Sequence, residues 1–389
     1  MTEERFETVI IGGGQAGLSV GYHLAAQGRE FVILDGGRRV GDNWRVHWDS
    51  LRLYTPARYD GLPGMKFPAP RWSFPGKDAM GDFLAAYAER YRLPVRTEAR
   101  VRQVRPDGDG YRVTVGAGDG DGDGDGDGAG ELRADNVVVA TGTFGRKPYV
   151  PSFAEELDPG IRQLHSASYR NDAQLRPGPV LVVGASHSGA DIAFEASARH
   201  RTVLCGRDTG QIPFRLGSRP MRAVAPLLWL VAGHLLTVRT PIGRKAAAEI
   251  RVHGGPLLRV RSADLAAAGV ERVTGRMTGV RGGRPVLAGG RVLDVANVVW
   301  CTGFRQDFSW IDIPVFREDG WPEETCGIVA ASPGLYFAGL SFQRAFSSML
   351  VGGAGRDARI VARHIAARER STARRTGTAG QRTRAVTAA

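Results

Sequence analysis

An α/β fold of two similar domains, the second inserted into the first, is what the 389-residue sequence predicts. Three observations carry that expectation. A short apolar run, Thr8 to Ile11, leads into Gly12-Gly13-Gly14-Gln15-Ala16-Gly17, a helix-like stretch from Leu18 to Gln27 and a second apolar run, Phe31 to Asp35. The same grammar returns at Val180 to Val183, Gly184 to Gly189, Ala190 to Ala198 and Thr202 to Cys205. Two further strand-to-glycine edges, Asn136 to Gly142 and Asn297 to Gly303, each close one half.

A strand, a glycine turn that opens a helix, and a second buried strand make a βαβ unit of about 30 residues. The chain therefore holds two Rossmann-like, dinucleotide-binding units. Residues 1–148 and 310–367 are expected to form the first domain, with residues 149–309 as the insert. Between them in character lies the segment 116–130, five consecutive Asp-Gly pairs flanked by Gly and Ala, read as a flexible surface loop. The nine-residue period of a calcium-binding repeat is missing from it.

Bulk composition narrows the class. Hydrophobic residues at 42% and charged residues at 24% are those of a soluble globular chain, which excludes whole-chain disorder and a membrane bundle. The net charge of +12 favours anionic partners such as phosphorylated cofactors. Part of that excess lies in residues 368–389, where six arginines stand against one acid, Glu369. Their Thr, Ala and Gly neighbours read as a disordered basic tail, and no nucleic-acid partner is expected. Three scattered cysteines without a C-x-x-C exclude a disulfide framework and a zinc site, so no metal is expected and a reducing cytoplasm fits. No signal peptide is read at the N-terminus. The apolar run Ala223 to Val238, interrupted by Pro226 and His234, is too short to span a membrane; it is expected to line a pocket or cover the core, with contact at a membrane surface as the alternative.

In the first turn Gly12 permits the sharp bend, Gly14 lets backbone approach a pyrophosphate, and Gly17 lets helix and strand pack closely, with Gln15 and Ala16 opening the helix whose N-terminus faces the phosphates. Asp35, at the end of the second strand, suits ribose hydroxyls and repels a 2′-phosphate, so this site expects FAD or NAD. In the second turn Gly184 and Gly189 keep the first and third roles, and Ser186 holds the middle position, where its hydroxyl could donate to a phosphate. His187 and Ser188 stand beside it as cofactor neighbours. The strand that follows ends in Gly206-Arg207 with no acid, and Arg207, helped by Arg201, suits the 2′-phosphate of NADPH. Two sites of different preference imply a relay in which NADPH reduces a bound flavin, and the missing C-x-x-C removes a dithiol outlet.

As a set, Gly12 to Gly17, Gly41-Asp42-Asn43-Trp44, Leu53 to Pro68, Ala140-Thr141-Gly142, Gly184 to Gly189, Trp300 to Phe304 and Gly334 to Gly339 resemble the class B flavoprotein monooxygenases, most closely the flavin-containing, YUCCA-like members. The resemblance implies FAD and NADPH as cofactors, a C4a-(hydro)peroxyflavin formed from O2, and oxygenation of a small organic substrate, by N- or S-oxygenation or a related transfer. It further implies that Trp44 packs near the flavin, that Tyr54 and Thr55 pass its reactive face, and that Thr141, Gly142, Thr302, Gly303 and Gly339 border the cofactors. A monomer or homodimer without stable membrane insertion is expected. Two departures stand out. His165 and Tyr169 keep part of the family signature, but Ile161 and Pro159 stand where its glycine and phenylalanine belong. Tyr54 also occupies the place of a frequent active-site asparagine. The alternative is an NADPH-dependent flavin oxidoreductase or oxidase that passes electrons on without oxygenation. His165 reads as a linker or core histidine, and Leu227 to Leu236 with Trp229 read equally as substrate entrance or plain core.

Overall fold

The computed structural model describes residues 4–117, 130–142, 147–252 and 254–386, so most of the expected Asp-Gly loop lies outside the described residues. The chain opens with β1 (Glu4–Ile11), α1 (Gln15–Ala25) and β2 (Phe31–Leu34), followed by the one-turn α2 (Asp42–Arg45), α3 (Lys77–Arg90), β3 (Val95–Arg96), β4 (Ala99–Asp107), β5 (Gly110–Ala117) and β6 (Gly130–Val139). They build a sheet in the order β3-β2-β1-β6-β5-β4. β1 runs parallel to both β2 and β6, which buries its second half on both faces and explains why Val9, Ile10 and Ile11 read as an unbroken apolar run.

A second sheet uses β8 (Arg162–His165), β9 (Val180–Val183), β10 (Thr202–Cys205), β11 (Glu271–Val273) and β14 (Asn297–Trp300), in the order β11-β10-β9-β14-β8 and parallel throughout. β7 (Lys147–Pro148) lies before it and pairs with β15 (Phe304–Arg305) after it, at the two passages between the sheets. The helices α4 (His187–Ala196), α5 (Arg219–Leu230), α6 (Pro241–Val252) and α7 (Ser262–Ala267) belong to this stretch, as does the hairpin of β12 (Met277–Arg281) and β13 (Arg284–Leu287). β16 (Leu335–Phe337) then returns to the first sheet, Leu335 lying opposite Val137 of β6. The fold is thus mixed α/β around two sheets with parallel cores.

The two sheets repeat one local design. Gly12 donates to Leu34 O at 2.7 Å and Ala140 to Ile11 O at 2.8 Å; in the second sheet Gly184 donates to Cys205 O at 2.8 Å and Cys301 to Val183 O at 2.7 Å. Each central strand is followed by a buried asparagine strand, and both asparagine amides donate to a backbone carbonyl, Asn136 to Glu7 O and Asn297 to Arg176 O.

α8 (Val351–Val386) seals the first unit, its Ala358, Val361, Ala362 and Ile365 packing in one core with Leu18 and Leu24 of α1. The tail that the sequence marks off begins at residue 368, where the helix carries on: Arg368 donates to Asp135 O at 3.1 Å and to Asn136 Oδ1 at 3.0 Å, and Glu369 pairs with Arg29. Composition does not reveal these contacts, because Arg368 meets β6 and Glu369 meets Arg29, each more than 200 residues away along the chain. The run Ala223 to Val238 is likewise only half covered. Ala225, Ala232 and Gly233 face inward, while Leu227, Leu228, Leu230 and Leu235 are exposed.

A candidate active site at two glycine turns

The first turn is built by exclusion of side chains. Gly12 sits at φ +111°, and a Cβ there would lie 2.6 Å from Ala140 O. A Cβ on Gly17 would lie 1.9 Å from Gly12 O, so only glycine lets α1 start against β1. Asp35 accepts from the Gly13 N–H at 2.6 Å and from Gly37 N–H at 2.8 Å, tying the turn to the end of β2. Each carboxylate oxygen keeps further acceptor capacity for a hydroxyl. Gln15 and Trp44, both expected at this site, meet each other: the Trp44 indole donates to Gln15 Oε1 at 3.3 Å. Gly14 faces the Asn43 amide, and the Gly339 backbone at φ +82° closes on Ala16, where an added Cβ would come within 2.7 Å.

The second turn repeats the geometry. Gly184 stands at φ +108° with Cys301 O only 2.2 Å from its missing Cβ, and a Cβ on Gly189 would lie 1.7 Å from Gly184 O. The first turn of α4, at His187 and Ser188, leaves backbone N–H groups without intrahelical acceptors, the usual seat for a phosphate. Ser186 departs from expectation. Its hydroxyl donates to Gly255 O at 2.8 Å, so it is engaged within the chain rather than held out for a phosphate. Gly254 and Gly255 press so closely on Ser186 and His187 that side chains there would collide with them. Nothing in the sequence near the turn announces this partner, about 70 residues downstream.

Arg207 is exposed and follows Gly206, whose missing Cβ faces Ala185 N at 2.8 Å, so it stands beside the turn as expected. Arg201 does not. It sits at the other end of β10, roughly 13 Å along the strand, and lies 4.0 Å from Glu271. Arg272, which the sequence does not single out, neighbours Leu204 across β10 and β11 and has a buried Nη1 without a hydrogen-bond partner.

Between the turns runs the segment from Trp44 to Asp60. Trp48 and Leu51 are buried in the core of the second unit, and Trp44 touches the cores of both. Tyr54 donates to Asp191 Oδ2 of α4 at 3.1 Å, and its ring lies 5.1 Å from that of His187. Asp191, 2% exposed, also pairs with Arg259 at 3.0 Å, and Arg259 donates to Ser50 O at 3.1 Å. Burial raises the Asp191 carboxyl above its ordinary range against the pull of Arg259, and burial likewise raises the Tyr54 phenol. Burial drives the His187 ring down to about 4, so it is neutral at pH 7.

Thr55 donates to Asp60 Oδ1. Asp60 is fully buried, its Oδ2 has no hydrogen-bond partner, and burial pushes its carboxyl up to about 7. The one sequence signal for it is that it is the sole acid in the stretch Leu53 to Pro68. His165 has a positioning part: its Nδ1 accepts from Ala167 N–H, which leaves Nε2 to donate to Gly303 O at 3.1 Å. Thr302 donates to Tyr149 O, and Gly142 and Gly303 both adopt positive φ, +76° and +85°, where the chain leaves the two asparagine strands. All three cysteines are free thiols, and burial raises each above its ordinary range.

The description of the pyridine nucleotide-disulphide oxidoreductase family fits residues 9–229. An oxidoreductase of Geobacillus kaustophilus, itself uncharacterized and termed CzcO-like, is 34% identical over 354 residues, covering 90% of this chain and 96% of the relative. YUCCA3 of Arabidopsis thaliana, a probable indole-3-pyruvate monooxygenase, is 27% identical and covers 92% of this chain and 86% of its own length. Among solved structures, a flavin-containing monooxygenase from Stenotrophomonas maltophilia superposes with a TM-score of 0.70 at 28% identity, over 94% of this chain and 99% of that one. With these likenesses spread over nearly its whole length, the chain belongs to the pyridine nucleotide-disulphide oxidoreductase family and, within it, to the class B flavoprotein monooxygenases, enzymes whose cofactors are FAD and NADPH.

Proposed function

We propose that this enzyme uses NADPH to oxygenate a small organic substrate with O2, holding FAD at the Gly12–Gly17 turn and NADPH at the Gly184–Gly189 turn. In this reading the first sheet, completed by β16, is the FAD domain, and the second sheet is the NADPH domain inserted into it. The observation that carries the proposal is the joint. The ring of Tyr54, from the segment that follows the first turn, lies against His187, which opens the helix of the second.

The residues present fit both cofactors. Each turn is a cradle that a single Cβ would fill, at Gly12 and Gly17 in one and Gly184 and Gly189 in the other. Bound FAD supplies redox and oxygen chemistry that no side chain here could. What the chain contributes is binding and enclosure. Asp35 accepts from ribose hydroxyls at the first site. Arg207 meets a 2′-phosphate at the second with a charge-assisted hydrogen bond. Trp44, Tyr54 and Thr55 line the joint, and the neutral His187 presents a ring there without adding charge. Asp60, with its carboxyl near neutrality, can hold or release a proton at Oδ2 beside Thr55. Trp44, Trp48 and Leu51 exclude water from the seam between the units.

The decisive experiment supplies the flavin-loaded enzyme with NADPH and isotopically labelled O2 across a panel of thioethers, amines and ketones. Label appearing in an organic product supports the proposal. Quantitative recovery of the consumed O2 as peroxide with every compound would assign the enzyme instead to oxidase or reductase chemistry.

A further inference from the structure

Among the described residues, six of the ten large apolar side chains that remain exposed fall in one stretch of 29 residues: Phe214, Leu227, Leu228, Leu230, Leu235 and Ile242. Leu227 is 60% exposed, Leu230 58% and Ile242 64%. Phe214 lies just before α5, and the other five belong to α5, the π turn Val231–Leu235 that continues it, and the start of α6. Exposed apolar groups scattered singly need no explanation, but a cluster on consecutive helical turns does.

The inner side of this helical pair is already secured. Trp229 stacks on Tyr59 with ring centroids 4.7 Å apart, Gly233 O accepts from Arg344 and Arg356 at 3.0 Å each, and Thr237 bridges to Ala345. The outward leucines add nothing to that attachment. Charge identifies what they face. From Thr209 to Ala248 the chain carries Arg215, Arg219, Arg222, Arg239, Arg244 and Lys245 and no acid. Arg215 is tied to Asp264, and the other five are exposed.

We infer that α5, the π turn and the start of α6 form a docking surface for an anionic lipid bilayer, lying in the plane of the headgroups. An apolar stretch of exposed leucines flanked on both sides by arginine and lysine suits the boundary between acyl chains and negative headgroups. A second copy of the chain fits the same face poorly, because a two-fold interface would set five cations against five. Crossing is not involved: among the described residues no helix is long and apolar enough to span a membrane.

Co-sedimentation of the full chain with phosphatidylcholine vesicles, with and without an equal share of phosphatidylglycerol, tests the inference. Binding to the anionic vesicles is expected to exceed that to neutral ones by roughly tenfold or more and to fall in high salt. The variant L227S/L230S/L235S is expected to lose it about as fully as R219Q/R222Q/K245Q, with both variants remaining monodisperse. Equal partition into neutral and anionic vesicles, or no binding by the unmodified chain, overturns the inference. So does a native dimer that the leucine variant dissociates, since that result gives the face to a second copy.

Discussion

At the scale of single residues, burial decides protonation. Asp60 keeps its proton in the folded chain up to about pH 7, whereas an unfolded aspartate releases it near ~3.9. Between those values the folded state binds more protons than the unfolded state, so this group's contribution to stability is full below the lower value and falls as pH rises through the window. Asp60→Asn removes that slope. Thermal melts at pH 5 and pH 8 should show the variant gaining on the native enzyme as pH rises, by a difference on the order of 2–4 kcal/mol; parallel curves would defeat the assignment. Arg207 allows a test of cofactor choice. Removing one guanidinium that meets a 2′-phosphate costs about 1.5–3 kcal/mol of binding. Arg207→Ala should therefore raise KM for NADPH by tenfold or more and leave KM for NADH nearly unchanged, as read from initial rates with each.

At the scale of elements, each strand-turn-helix unit depends on contacts that no side chain tolerates. An alanine at Gly17 or at Gly189 drives its Cβ into a carbonyl oxygen of its own turn, Gly12 or Gly184. Relief requires the helix to back away from the strand, and a displacement of about 1 Å at a bound phosphate suffices for losses on the order of a hundredfold. The two variants should fail differently. Gly17→Ala should purify with little flavin, while Gly189→Ala should keep its flavin but be reduced by NADPH at least about a hundredfold more slowly. Absorbance of the purified proteins and anaerobic reduction rates distinguish them. Loss of flavin from both would mean that the turns do not serve separate cofactors.

At the scale of the whole molecule, the units are joined through Tyr54, Asp191 and Arg259 and through the burial of Trp48 and Leu51. Arg259→Ala leaves the Asp191 carboxylate buried with Tyr54 as its remaining donor, and breaking one side of such a pair typically costs ~3 kcal/mol. The loss should be largest near neutral pH and shrink in acid, where Asp191 protonates and no longer needs a counter-charge. Melts of native and variant enzyme from pH 5 to pH 8 check this; a deficit that ignores pH would assign Arg259 a packing part only. Loosening the joint should also let NADPH oxidation outrun oxygenation, raising the peroxide released per NADPH.

The glycine turns, their flanking strands and Asp35 were legible in the sequence because they obey local rules: a backbone at φ near +110° or a helix starting within van der Waals contact of a strand admits only glycine, whatever surrounds it. The α/β class follows from the same repeated unit. What escaped had no local signature. Tyr54 meets Asp191 across 137 residues and Asp191 meets Arg259 across 68, and Ser186 gives its hydroxyl to a carbonyl at position 255. Asp60 was not singled out at all, because its burial comes only from the fold that closes over it. The sequence by itself determined the two glycine turns and the strands that flank them, since steric exclusion acts within a few bonds. Only the tertiary structure decided which buried groups share a proton, which arginine stabilises which acid, and which leucines stay outside, because burial and Coulomb energy depend on neighbours that chain order does not reveal.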